Sequence, residues 1–230
     1  MSEAKRQRLV VLISGRGSNL VALIQALCQP HFAQADIVGV VSDQTKAAGL
    51  QKAQKAGIHT SIVPRDEFST KETFETELSR VIQSYQPDWV ILAGFMRVLS
   101  SQFLSPFLGR MINIHPSLLP KYRGLHTHER VLEAKDSHHG ASIHFVTPTL
   151  DGGPVISQAR MSVAPSRDPG DLAARLLPLE HQLMVATVAL LIGCEVKCDD
   201  DSIFINGQAL EKPLVLGVDL DLFGVLGMER

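Results

Sequence analysis

LVVLISGRGSNL, residues Leu9 to Leu20, decides how the rest of the chain is read. Leu9 to Ile13 is continuously aliphatic, the pattern of a short strand buried on both faces. SGRGSN (Ser14 to Asn19) is a tight turn, and helical spacing follows it to about Cys28. Gly15 and Gly17 let the backbone wrap closely around an anion, whose charge the start of the helix stabilises. The same alternation continues through strand Asp36 to Ser42, helix Lys46 to Ala56 and strand Thr60 to Val63. Ser69 and Glu72 match a capping box, and Phe74, Leu78, Val81, Ile82 and Tyr85 form the apolar stripe of the helix it opens. Strand Asp88 to Leu92 runs into the loop AGFMRVLS, and a further strand is centred on Met111 to Ile114. Strands alternating with helices predict an α/β fold: a doubly wound, mostly parallel, Rossmann-like sheet.

Past His115 the pattern changes to an antiparallel C-terminal part. His128 to Lys135 reads as a short helix. Ala141 to Thr147 and Pro154 to Val163 read as strands so closely joined that they must be antiparallel. Asp168 caps a long helix with Pro169 at its first position and Asp171 in its first turn, and Pro178 is expected to kink or break it. SIFINGQAL reads as a hairpin turning on Asn206-Gly207. The 230 residues, 45% hydrophobic and 20% charged with a net charge of -2, exclude disorder and coiled coil and argue against nonspecific nucleic-acid binding. The longest apolar run, Leu183 to Gly193, is too short for a membrane span, and the polar start MSEAKRQR is no signal peptide. Cys28, Cys194 and Cys198 form no disulfide framework, so a cytoplasmic location is expected.

INIHPSLLPKYRGLHTHE (Ile112 to Glu129) carries the densest chemistry. Asn113 and His115 stand two apart at the end of a strand, so they share one face, with Pro116 and Pro120 restricting the loop beyond. A neutral imidazole takes a proton near pH 7, and an amide donates to a developing oxyanion. Asp151, in the LDGG turn, can orient the imidazole and favour its charged form. Together they suit acyl or formyl transfer without a metal or a covalent nucleophile; the competing reading is a strand end and an ordinary turn. Six of the nine histidines lie between His115 and His144, but His126, His128, His138 and His139 lack a third-ligand spacing, and hydrogen-bonded or solvated histidines are expected. Ser14 and Ser18 lie in no nucleophile elbow. Leu20 stands where a dinucleotide fingerprint needs its third glycine, and Asp43 does not restore that fingerprint.

VVLISGRGSNL (Val10 to Leu20), PDWVILAGFMRVLS (Pro87 to Ser100), NIHPSLLPKYRGLHTH (Asn113 to His128) and GASIHFVTPTLDGGPVI (Gly140 to Ile156) resemble, in order, the phosphoribosylglycinamide formyltransferase family. The resemblance implies a single formyltransferase domain over 1–230: a nucleotide- and phosphate-binding half, 1–110, a folate-binding and catalytic half, 111–207, and a tail, 208–230. It implies transfer of a formyl group from 10-formyltetrahydrofolate to the amine of glycinamide ribonucleotide in purine synthesis, by a monomer or homodimer. Gly17, Ser18, Asn19 and Glu180 then bind the ribonucleotide. Lys71 meets the folate glutamate tail, and Met96, Arg97, Val98 and Leu99 receive the pterin. Asn113 and the loop Thr147, Pro148, Thr149, Leu150 and Asp151 close on the same ring. Leu177 stands where relatives carry a polar residue, beside Pro178 in the helix that presents Glu180. The nearest rival is a hydrolase that gives the formyl group of 10-formyltetrahydrofolate to water. A nicotinamide oxidoreductase and a noncatalytic folate- or nucleotide-binding module are further alternatives.

Overall fold

Leu9 to Ile13 are the last five residues of strand β1 (Gln7–Ile13), and none of them is more than 1% exposed. The computed structural model describes residues 6–199 and 201–227; residues 1–5 of the polar start and 228–230 of the tail lie outside them. The described residues form two compact units that divide between Asn113 and Ile114.

In the first unit β1 is followed by α1 (Ser18–Leu27), β2 (Ala35–Ser42), α2 (Ala48–Lys55), β3 (Thr60–Ile62), α3 (Lys71–Ser84), β4 (Trp89–Leu92) and the short α4 (Ser101–Leu104). It closes with the first residues of β5 (Met111–His115). β1 pairs in parallel with β2 on one side and β4 on the other, β2 with β3, and β4 with β5. Chain order therefore reverses at β1, and the loops beyond the C-terminal ends of β1 and β4 lie side by side: the Ser14 N–H donates to the Gly94 carbonyl at 3.0 Å. Such a switch point is where open α/β sheets place ligands.

Two local readings shift. The cap of α3 is Thr70 rather than Ser69; its side chain accepts the Thr73 N–H at 3.1 Å, one residue along from the expected box. The stripe Phe74, Leu78 and Ile82 is buried as the spacing requires, and Val81 and Tyr85 flank it half-buried.

The second unit takes the end of β5 and adds α5 (Thr127–Glu133), β6 (His138–Phe145), β7 (Val155–Ser162), α6 (Pro169–Gly193), β8 (Val196–Asp199), β9 (Ser202–Ile205), β10 (Gln208–Ala209) and β11 (Leu214–Val215). β6 and β7 are antiparallel, β11 adds parallel to β7, and β8, β9 and β10 form a separate antiparallel sheet. Asn206 and Gly207, both at positive φ, make its expected tight turn.

α6 is capped by Asp168, which accepts the Asp171 N–H at 2.9 Å. Pro178 does not break it; the helix runs unbroken for 25 residues. The carbonyl this proline leaves without a helical partner belongs to Ala174, and both residues are exposed, so water can satisfy it. At that length α6 is apolar enough to cross a membrane, which the shorter run read from the sequence did not suggest. It packs on β6 and β7 with Leu183, Met184, Leu190 and Leu191 buried, the position of a core helix. The apolar tail also packs within this unit. Leu220 is buried, and a Cβ on Gly224 would lie 2.4 Å from the Leu190 nitrogen.

Gly17 caps α1 in the left-handed region at φ 66, and a Cβ there would lie 2.8 Å from the Cα of Gly49. Gly17→Ala is expected to cost about 2 kcal/mol from the backbone conformation alone, more with the contact. Calorimetry should record a melting temperature lower by roughly 4–8 °C; an unchanged value contradicts this reading of the turn.

Candidate active site

β5 carries Asn113 and His115 two residues apart, which puts both side chains on one face of the strand. His115 is 6% exposed and Asn113 half-buried. The loop after β5 is pinned to β6 and β7. The Ser142 hydroxyl donates to the Ser117 carbonyl at 2.7 Å and accepts the Leu119 N–H at 3.0 Å, and Gln158 Nε2 donates to the Leu119 carbonyl at 2.9 Å. Tyr122, at φ 57, turns its carbonyl to within 2.9 Å of His115 Nε2. A carbonyl only accepts, so Nε2 carries the hydrogen in that bond. The Tyr122 hydroxyl and Lys121 Nζ both donate to Asp136 Oδ2 at 2.8 Å, which fixes the residue whose carbonyl holds the imidazole.

Asp151 approaches from the turn after β6, itself at positive φ. The turn requires glycine two residues on, since a Cβ on Gly153 would lie 1.9 Å from the Phe145 carbonyl oxygen. The Gly124 N–H donates to Asp151 Oδ2 at 2.8 Å, and the same oxygen stands 3.4 Å from His115 Nδ1. Oδ1 stands 3.6 Å from His144 Nε2, whose ring places Nδ1 2.8 Å from the Phe145 carbonyl. One carboxylate thus faces two imidazoles, each with its other nitrogen on a backbone carbonyl. The 3.4 Å separation from His115 Nδ1 is longer than an ordinary hydrogen bond. A proton gained by His115 at Nδ1 would point at Asp151.

Burial lowers the His115 pKa below the usual histidine value, outweighing the Tyr122 carbonyl and the Asp151 charge, which raise it. The resting imidazole is therefore neutral at pH 7, and the charged form expected from Asp151 alone arises only when a proton is delivered. For Asp151 itself burial acts upward, but the His144 ring, the Gly124 N–H and the His115 charge together hold it below the ordinary carboxylate value. It stays ionised.

The remaining sequence-predicted positions are divided between the two units. In the first, Gly17 precedes α1 and Ser18 and Asn19 open it, with first-turn N–H groups free for an anion. Asn19 is 7% exposed, and its Oδ1 is buried without a hydrogen-bond partner among the described residues. That acceptor suits an O–H or N–H of a ligand; the amide turned over offers N–H instead. Met96, Arg97 and Val98 are exposed after β4, and Leu99 is buried. Lys71 opens α3, 3.6 Å from the buried Glu75 carboxylate. In the second unit, Thr147 is half-buried, Pro148, Thr149 and Leu150 are exposed ahead of Asp151, and Glu180 is half-buried on the unbroken part of α6.

Sequence reading gave His144 and Tyr122 no role, and weighed Asp43 only for a dinucleotide fingerprint. A lone histidine inside the apolar strand ASIHF was the available signal for His144. Tyr122 acts through its main chain, which no side-chain motif reports. Of the other histidines, His126 and His138 are exposed, while His128 Nδ1 and His139 Nε2 meet at 2.9 Å. Among the described residues no group of three His, Cys, Asp or Glu is placed to hold a metal ion.

A parallel sheet with a glycine-turned helix start in one unit, and a buried imidazole beside a carboxylate in the other, fit a group-transfer enzyme. A family model described as formyl transferase matches residues 7–188. Phosphoribosylglycinamide formyltransferase of Escherichia coli (strain K12) is 44% identical over 202 residues, 88% of this chain and 95% of that protein. The trifunctional purine biosynthetic protein adenosine-3 of Drosophila melanogaster is 41% identical over 216 residues, 94% of this chain but only 15% of that longer protein. A solved phosphoribosylglycinamide formyltransferase from Coxiella burnetii, in complex with CHES, matches with a TM-score of 0.86 at 42% identity, covering 92% of this chain and 99% of that one. The chain belongs to the formyl transferase family, on its phosphoribosylglycinamide formyltransferase branch.

His139, 1% exposed, has its pKa lowered to about 4 by burial first and by the charges of His128 and His115 second. The unfolded chain, titrating near 6.5, binds more protons than the folded one between those values, so stability falls as pH drops from about 6.5 to 4. His139→Gln should flatten the dependence of the melting temperature on pH across that window; an unaltered slope contradicts the assignment.

Proposed function

We propose that the chain transfers the formyl group of 10-formyltetrahydrofolate to the amino group of glycinamide ribonucleotide, in purine biosynthesis, by direct attack. The observation that carries the mechanism is the contact between a buried neutral imidazole, His115, and an ionised carboxylate, Asp151, at 3.4 Å. Bringing donor and acceptor together makes the attack effectively unimolecular, a gain of roughly 7–11 kcal/mol.

The substrate amine adds to the formyl carbon. A C–N bond forms and the carbonyl pair moves onto oxygen. The Asn113 amide donates to that oxyanion. His115 accepts the proton the amine nitrogen sheds, and the imidazolium that results is stabilised by Asp151 on one side and the Tyr122 carbonyl on the other. The same proton then passes to the folate nitrogen as its bond to the formyl carbon breaks, releasing tetrahydrofolate. No step is assigned to a metal.

Gly17, Ser18 and Asn19, with Glu180, hold the ribonucleotide. Lys71 meets the glutamate tail, and Met96 to Leu99 with Thr147 to Asp151 take the pterin. The hydrolase alternative needs no phosphate site, and the free N–H groups opening α1 favour transfer. Three free cysteines suit a reducing, cytoplasmic setting.

Tetrahydrofolate release is expected to depend strictly on glycinamide ribonucleotide; release without it supports the hydrolase. His115→Ala should leave ribonucleotide binding near normal and lower kcat by several powers of ten, and unchanged turnover removes His115 from the mechanism. Asn113→Ala should lose about 3 kcal/mol of transition-state stabilisation, roughly 100-fold or more in kcat. A change confined to KM contradicts its role at the oxyanion.

A further inference from the structure

Asp43 follows β2 and is 2% exposed, yet the mechanism makes no use of it. Its two oxygens are fully engaged. Oδ1 accepts the Ser14 hydroxyl at 2.6 Å; Oδ2 accepts Arg97 Nε at 2.6 Å and Gln44 Nε2 at 3.1 Å. Because the Ser14 hydroxyl spends its only proton on Asp43, its lone pairs face outward, and one accepts the Met96 N–H at 2.9 Å. The carboxylate therefore reaches the segment after β4 twice, through the Arg97 side chain and through Ser14 to the Met96 main chain.

That segment, 95–100, lies in neither helix nor strand, so no ladder of backbone bonds holds it. Ser14 immediately precedes the glycines of the phosphate loop. The same groups wall a pocket of about 560 Å³, lined by Ser14, Asp43, Met96 and Arg97 together with Arg16 and Lys46. The Arg97 side chain is 35% exposed against 1% for Asp43, so the guanidinium bends inward while Met96 and Val98, at 69% and 58%, stay out.

We propose that Asp43 is a positioning residue for the formyl donor, clamping Arg97 and Ser14 so that segment 96–99 and the phosphate loop are held as one body. The proposal rests on the reading that segment 96–99 receives the pterin. Asparagine weakens the clamp, since one of the two oxygens becomes an NH2 that cannot accept from the donor facing it, and the charge paired with Arg97 is lost.

The test is steady-state kinetics of Asp43→Asn, Arg97→Met and the double variant, varying 10-formyltetrahydrofolate and glycinamide ribonucleotide separately. Each single change is expected to raise the donor KM about tenfold, with kcat at saturation within about threefold. The double variant should be no worse than the poorer single, because the pair acts as a unit. Hydrogen exchange of the amides at 95–98 should quicken in Asp43→Asn. Arg97 is the more exposed partner, so Arg97→Met tests the clamp even if Asp43→Asn fails to fold. An unchanged donor KM in Arg97→Met, additive effects in the double variant, or a fall in kcat with every KM unchanged overturns the proposal. A wild-type protein without ribonucleotide-dependent transfer overturns the reading beneath it, and shows this before any variant is compared.

Discussion

One carboxylate facing two imidazoles is the constraint around which the second unit is arranged. His115 and His144 each commit one ring nitrogen to a backbone carbonyl, and the other nitrogen of each ring faces Asp151. Burial keeps the first ring neutral, and the carboxylate stays ionised. Protonation of His115 at Nδ1 would complete a hydrogen bond to Asp151. A group that delivers a proton for the length of a reaction step meets a site already oriented to take it, with no solvent to reorganise.

Much of the surrounding architecture serves to hold that geometry. The loop from Pro116 to Gly124 is stitched to β6 through Ser117, Leu119 and Ser142, and its far end is tied to Asp136 through Lys121 and Tyr122. Gly124 closes the circle by donating to Asp151. Exposed ion pairs such as Lys121 with Asp136 add little to stability; here the pair fixes the orientation of a carbonyl. In the first unit the same economy appears in Asp43, a single buried acceptor that joins two loops beyond the sheet.

The fold was legible where one physical signal dominated a short window. Five aliphatic residues from Leu9, the Asn206-Gly207 turn and the Asp168-Pro169-Gly170-Asp171 start of α6 each specify their element locally. The errors came where context outweighs the local rule. Thr70 captures the cap from Ser69 because its own side chain reaches the Thr73 N–H, and Pro178 is tolerated because the carbonyl it orphans faces water. The long helix itself was legible from its Asp168 cap, but its continuity through Pro178 over 25 residues was not.

Within the site, Asn113 and His115 could be read from strand spacing and Asp151 from its glycine turn, since each sits in a distinctive local sequence. His144, the Tyr122 carbonyl and Asp43 could not, because their significance lies in partners 7 to 54 residues away. The direction of the His115 shift was also beyond sequence: a carboxylate partner predicts a raised pKa, and only burial, seen in the structure, reverses it. The most direct measurement is the ¹⁵N spectrum of the His115 ring in the wild-type protein at pH 7. A neutral imidazole with the hydrogen on Nε2 and a pKa below 6.5 is the result this structure requires. An imidazolium at pH 7, or a hydrogen on Nδ1, contradicts it.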